Sequence, residues 1–199
     1  MRYFILSIFC LFMSNSLIAR EQNIRNTFVN FSGGKSQSWF TGKDTVNIVG
    51  ELSPINSFHA GISLLELDNR FYILPEYGVR YIVKGYFEEK TENRIDFGEA
   101  FLKLKINPNI NKLNTHFLHP YVGFAAGKLL YTNQEDIEEY THSLLLGFDY
   151  VVLGNVFKNG PANIFLGLQY SKGTRQIFSS SDMSRIYQDS LNLSLGLFF

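Results

Sequence analysis

The feature that most constrains this chain is a strict two-residue alternation of apolar and polar side chains in its final segment. Between residues 190 and 199, leucines stand at positions 191, 193, 195 and 197, and Phe199 continues the series. Small or polar residues stand between them, apart from Phe198. Successive side chains of a β-strand point to opposite faces. The segment therefore predicts a strand with one wholly apolar face and one small, mainly polar face.

Seven earlier segments repeat this alternation, and their polar faces collect glycine and charged residues. The eight segments are residues 27–32, 58–64, 71–84, 99–106, 118–127, 142–150, 164–171 and 190–199. A soluble barrel or sandwich packs its apolar face inward and exposes its charges. Glycine suits a crowded interior better than a solvated surface. We therefore predict an all-β fold, a single transmembrane antiparallel up-and-down β-barrel with an apolar exterior and a polar interior.

The connections between these segments bear on the number of strands. Connections at residues 33–57, 85–96, 132–139 and 173–189 alternate with more compact ones at residues 66–70, 107–115 and 155–161. This alternation is expected when loops lie on one side of a membrane and turns on the other. Residues 44–49 could be an additional strand or part of a loop. Eight strands is the prediction, and ten is the alternative.

Residues 1–19 have the layout of a secretory signal peptide, with Arg2, an apolar run at residues 3–13 and small or polar residues before Ala19. The apolar run of about 11 residues is too short for a transmembrane helix, which needs roughly 20. We predict cleavage after Ala19. Residues 20–199 would then form one barrel domain in the outer membrane.

The composition excludes several classes of protein. Cys10 is the only cysteine and lies in the predicted signal peptide, so the exported chain offers no disulfide and no cysteine metal site. Eighteen basic and eighteen acidic residues give a net charge of +0, which argues against a nucleic-acid partner. An aromatic content of 16% suits girdles at two membrane interfaces.

Seven charged residues are predicted to face the barrel interior: Glu76, Arg80, Lys84, Glu99, Lys103, Lys105 and Asp149. Both signs occur on facing strands, so cross-strand ion pairs are expected. Buried charges are tolerable when they are paired. Because an eight-stranded barrel is just wide enough for its own side chains, we predict a plugged polar interior. A charged constriction in a pore is the alternative.

The histidines and their neighbours do not predict a catalytic or metal site. His116 and His119 are three residues apart in a predicted strand and point to opposite faces, as do the adjacent His142 and Ser143. Nucleophilic catalysis needs a nucleophile beside a base. We assign no catalytic, cofactor or metal residues.

Short motifs along nearly all of the exported chain carry a family resemblance. They are FHAGI at residues 58–62, ILPEYG at 73–78, KG at 84–85, FLKLK at 101–105, PYVG at 120–123, LGFDY at 146–150 and LGLFF at 195–199. With these motifs the chain resembles the outer-membrane β-barrel domain proteins, the porin-like or PorT-like family of Gram-negative bacteria. It departs from the family at Lys103–Lys105, where a Glu-x-Pro element is usual.

The resemblance implies an eight-stranded outer-membrane barrel, with Phe199 as the signal for the barrel-insertion machinery and with no catalytic residues to carry over. Together the observations predict a non-enzymatic role, structural or adhesive, or accessory to an envelope or secretion system. Outer-membrane lipid is an expected partner, and a surface or secretion-system partner would meet the loops at residues 33–57 and 173–189. A small channel for ions or solutes is the alternative function, and a lipid-modifying enzyme is the third.

Overall fold

A computed structural model describes residues 26–42, 52–67, 71–88, 91–107, 116–134, 136–152, 163–178 and 186–198. The predicted signal peptide, the possible extra strand at residues 44–49 and the predicted insertion signal Phe199 lie outside these ranges. Within the described ranges, no helix has both the length and the apolar character needed to cross a membrane.

Eight strands account for nearly all of the described residues. They are β1 (Asn26–Gly42), β2 (Leu52–Leu67), β3 (Ile73–Glu88), β4 (Thr91–Ile106), β5 (His116–Thr132), β6 (Tyr140–Val152), β7 (Asn163–Gly173) and β8 (Ile186–Phe198). Each pairs antiparallel with the next, and β8 pairs with β1, which closes the barrel. The predicted eight-stranded up-and-down barrel is confirmed. The ten-stranded alternative is wrong, because β1 and β2 are directly hydrogen-bonded neighbours.

The strands extend further than the sequence pattern predicts at one end of the barrel, called here the loop end, where β1–β2, β3–β4, β5–β6 and β7–β8 are joined. Much of the predicted loop at residues 33–57 belongs to β1 and β2. The predicted charged connection at residues 85–96 is a tight hairpin, in which Glu88 pairs with Thr91. The expected alternation of long and short connections is therefore wrong. Backbone pairing continues into a region where the apolar alternation has ended, since outward positions there include Lys35 and Gln37.

The outer face of the barrel carries a band of large apolar side chains. Val122 on β5 is 56% exposed and Leu195 on β8 is 60% exposed, and comparable residues stand on the other strands. On β5 the outward apolar positions run from Leu118 to Ala126, close to the roughly 9–11 residues that a tilted strand needs to cross a bilayer. Glycine, polar and charged residues alternate with them on the inner face.

At the loop end, the interior holds an apolar cluster beside buried polar side chains such as Ser38 and Asn93. The cluster consists of Phe40, Ile82, Tyr86, Ile95, Phe97, Ile177, Phe178 and Ile186, which we call the loop-end core. Ile177 and Phe178 follow β7 and fold back onto the other strands: the Ile177 amide donates to the Ile186 carbonyl (3.0 Å), and Phe178 pairs with Ile137. The predicted polar interior does not account for this apolar cluster.

Candidate functional site: the charged lumen

All seven charges predicted for the interior lie on the inner face. Six of them are buried, and the Lys103 side chain is 12% exposed. The two-residue alternation in the sequence, which we call strand parity, explains this placement. The inner face takes even-numbered positions on β3 and odd-numbered positions on β4 and β6. The seven side chains form two groups, one around Glu99 and one around Lys105.

The Glu99 cluster joins β3 to β4. Arg80 stands directly opposite Glu99 in the register. Its guanidinium contacts the carboxylate through Nε (2.8 Å) and Nη2 (2.6 Å), while Lys84 Nζ lies 2.9 Å from the other carboxylate oxygen. Two cations thus share one carboxylate in an interior where unpaired charge is costly.

The Lys105 cluster reaches across the lumen. Lys105 Nζ lies 2.7 Å from Glu76 on β3 and 2.5 Å from Asp149 on β6, although β5 separates β4 from β6 in the sheet. Glu76 also accepts hydrogen bonds from Ser63 (2.5 Å) and Asn30 (3.2 Å). Side chains of five strands therefore meet at this point in the lumen.

Lys103 is the least tightly paired of the interior cations. Its Nζ lies 3.8 Å from Glu76, a long ion-pair distance. The ammonium also lies over two aromatic rings, 4.6 Å from the ring centre of Tyr121 and 5.0 Å from that of Phe101. The seven interior charges comprise four cations and only three carboxylates. Cation–π attraction therefore adds to the stabilisation of Lys103, which has the weakest ion pair of the four.

Inner-face glycines make room for the long side chains, as the sequence predicts. A β-carbon on Gly167 would lie 2.5 Å from the Asp149 carboxylate, and one on Gly147 would lie 2.7 Å from the Tyr121 hydroxyl. Both distances are shorter than side chains tolerate. The charged cluster and the glycines opposite it are therefore one packing unit.

Neutral polar side chains line the rest of the inner face. Ser36 donates to Asn192 across the β1–β8 seam (2.6 Å), and His59 Nε2 lies 2.9 Å from the Ser194 hydroxyl. Asn30 Oδ1, His59 Nδ1 and the Ser143 hydroxyl are buried with no hydrogen-bond partner among the described residues. Such atoms in a polar interior are the usual sites of ordered water.

Two carboxylates stand on the outer wall near the loop end, and tyrosines cover both. Tyr81 donates a short hydrogen bond to Asp96, which also pairs with Arg94 at 2.7 Å. Tyr170 donates to Asp189 at 2.6 Å and stacks on Trp39, with ring centres 6.2 Å apart. Aromatic residues with polar tips are typical of the boundary between apolar and aqueous regions.

The histidines stand apart from one another. His116 is exposed and contacts the Tyr150 hydroxyl (3.1 Å), whereas His119 is buried inside the barrel. His142 packs against Phe124 on the outer wall, and its neighbour Ser143 points inward. Within the described ranges, no three histidine, cysteine or acidic residues are placed to hold a metal ion.

Sequence reasoning missed the loop-end core and the role of Ile177 and Phe178 in it. They lie in a segment predicted as a serine-rich partner loop. The available signal is two adjacent apolar residues within a polar stretch, but such a pair has no period and does not say where it packs. The contact between Lys105 and Asp149 was also missed, because pairing by sequence considers only adjacent strands.

No protein-family model and no curated protein matches the chain. Solved structures that are similar to it include three outer-membrane or surface proteins, each at 14% identity. Neisserial surface protein A has a TM-score of 0.47, covering 86% of this chain and 95% of that chain. Ail, the attachment invasion locus protein of Yersinia pestis, was solved with the heparin analogue sucrose octasulfate. Its TM-score is 0.40, and the match covers 87% of this chain and 99% of that chain. The outer membrane protein AlkL, solved in DMPC bilayers, has a TM-score of 0.38, and the match covers 91% of this chain and 94% of that chain.

Proposed function

We propose that this protein is an integral outer-membrane barrel with a sealed lumen, and that it serves as a structural or adhesive component of the envelope. The observation that carries the proposal is the inverted arrangement of the barrel: large apolar side chains are exposed outside, and paired charges are buried inside. A water-soluble barrel with this surface would expose one continuous apolar belt, which soluble monomers avoid.

The sealed lumen is supported by two successive barriers. The Lys105 cluster spans the lumen from β3 to β6, and the loop-end core closes the barrel above it. Diffusion pores are built from about 16–18 strands, whereas eight leave an interior that side chains fill. Transport of solutes is therefore not the role we propose.

The first experiment tests membrane insertion. The full chain is expressed in a Gram-negative host, the envelope is fractionated, and the protein is run on gels with and without heating. We expect it in the outer-membrane fraction, with a heat-dependent change in migration. A soluble periplasmic product whose gel migration does not change on heating would contradict the proposal.

The second experiment tests the seal. Purified protein is added to planar lipid bilayers, with a sixteen-stranded porin as the positive control. We expect no stable conductance steps from this protein, because ion-paired side chains and the loop-end core obstruct the lumen. Regular ohmic steps would instead favour the second candidate function, a narrow channel. The observation that supports a channel is the set of buried polar atoms of Asn30, His59 and Ser143 that have no hydrogen-bond partner among the described residues, because such atoms are suitable hydration sites.

A further inference from the structure

A groove of about 770 Å³ crosses the outer wall between β2 and β6. Its floor lies where outward side chains are short or missing, at Ala60, Gly98, Ala100 and Ala126. The neighbouring outward positions carry large apolar side chains such as Leu102 and Val122. The groove is therefore a depression in the apolar band. Arg80 and Glu99, whose charged ends pair inside the barrel, also belong to its lining.

Two pairs of rings stand at the sides of this groove. Phe58 and Tyr81 are in contact on the β2–β3 side, with ring centres 5.8 Å apart. Phe124 and His142 are in contact on the β5–β6 side, at 5.7 Å. Each pair joins adjacent strands, so neither wall depends on a single mobile side chain.

Polar groups lie at the end of the groove nearest the loop end. Lys128 and Tyr140 belong to its lining, and Lys128 Nζ lies 3.3 Å from Glu139. Both partners are about 60% exposed, so this ion pair is weak and its lysine can exchange partners. Two further cations near the groove are already paired: Arg94 with Asp96 and the Tyr81 hydroxyl, and Arg80 with Glu99 inside the barrel.

We propose that the groove binds one acyl chain of a phosphate-bearing membrane lipid, with the phosphate at Lys128. The inference rests on the proposed membrane insertion. A slender apolar chain fits a depression that opens onto the hydrocarbon of the bilayer. A phosphate forms stronger, charge-assisted hydrogen bonds with an ammonium group than a neutral head group does, and Lys128 stands where the apolar lining ends.

A second copy of the chain fits the groove less well. A two-fold dimer places the same patch of both subunits in contact. Two concave surfaces would then face each other and leave unfilled space, which forfeits the packing that drives association in lipid. The lipid is therefore the occupant to which the geometry points.

The test for the acyl chain uses the full protein in phosphatidylglycerol vesicles with a trace of phosphatidylglycerol that carries a diazirine on one acyl chain. After irradiation, labelled peptides are mapped by mass spectrometry. We expect label concentrated on β4 and β5 around Ala100 and Ala126. Ala100→Leu fills the floor and should lower this label about tenfold, equivalent to about 1.4 kcal/mol. Val29→Leu, outward-facing on β1, is the control and should leave the label unchanged.

A second comparison tests the phosphate. A diacylglycerol with the same diazirine chain replaces the labelled phospholipid. Wild-type protein should label more strongly with the phospholipid, and Lys128→Gln should remove that preference. Lys35→Gln replaces an exposed lysine on β1, outside the groove, and should keep it.

The outcomes separate the groove from insertion itself. Label spread evenly around a heat-modifiable barrel, or equal labelling of Ala100→Leu and wild type, overturns the lipid groove and leaves insertion standing. Cross-linking between copies that Ala100→Leu abolishes would identify a second copy as the occupant and also overturn the proposal. Failure of the heat shift overturns the membrane barrel.

Discussion

Glu99 is the residue on which two buried cations depend. Arg80 and Lys84 both contact its carboxylate, and the Lys84 side chain is only 1% exposed. Removing one member of such a group leaves the others charged and without a counter-ion in the interior. The cost of that loss exceeds the net contribution of the intact group to stability.

Glu99→Gln should therefore lower the free energy of unfolding by ~3–5 kcal/mol, as for other buried ion pairs that lose one partner. Urea unfolding of the protein in vesicles, followed by tryptophan fluorescence of Trp39, measures it. The control is Glu139→Gln, which breaks the exposed pair with Lys128 and should cost under about 1 kcal/mol. Equal effects of the two substitutions would contradict this account of the cluster.

Strand parity predicts which charges face inward, but it does not predict their partners. Glu76 stands opposite Lys103 in the register, yet its closer contact is with Lys105. Asp149 meets Lys105 across the lumen from a strand that is not adjacent. These choices depend on the curvature of the closed barrel, which brings distant strands within reach. Sequence alternation along one strand carries no information about that curvature.

Among the elements, the segment after β7 is predicted as part of a loop at residues 173–189. In the structure its residues 174–178 fold onto the barrel. Arg175 pairs with Glu138 at 2.9 Å, and the Glu138 amide donates to the Ile177 carbonyl at 2.8 Å. These contacts hold Ile177 and Phe178 in the loop-end core.

Phe178→Ala should lower the free energy of unfolding by ~3–5 kcal/mol, because it leaves a cavity in a packed apolar cluster. Phe148→Ala is the matched control, since Phe148 is 41% exposed on the outer wall and its removal leaves no enclosed cavity. Urea unfolding in vesicles compares the two variants. A loss for Phe178→Ala no larger than that for Phe148→Ala would show that the core contributes little to stability.

For the whole molecule, the outer apolar band is the feature that sequence predicts best. Its evidence is repeated in every strand, so errors at single positions do not alter the conclusion. The ends of the strands are predicted poorly, because the prediction depends on this apolar band. Beyond the band the two faces of a strand are similar in polarity, as at the outward Lys35 and Gln37. The alternation that reveals a strand therefore disappears, while the backbone hydrogen bonds of the strand continue.

The position of the band can be measured by placing a charge on the outer wall at two heights. Leu146→Arg, in the middle of the outward series of β6, should cost ~2–4 kcal/mol in vesicles, as expected near a bilayer midplane. Gln37→Arg, above the band on β1, should cost about 0–1 kcal/mol. Similar costs at the two positions would place the bilayer elsewhere on the barrel.

The seam between β1 and β8 has a consequence for how the chain reaches its folded state. Every other strand pair joins neighbours in sequence, so those hairpins can form locally. The seam pairs residues such as Ser32 and Gly196, which lie far apart along the chain. Until it closes, both strands present unpaired edges that invite pairing with other chains. The interval between synthesis and closure is thus when this protein is most prone to aggregate, and when protection by a chaperone matters most.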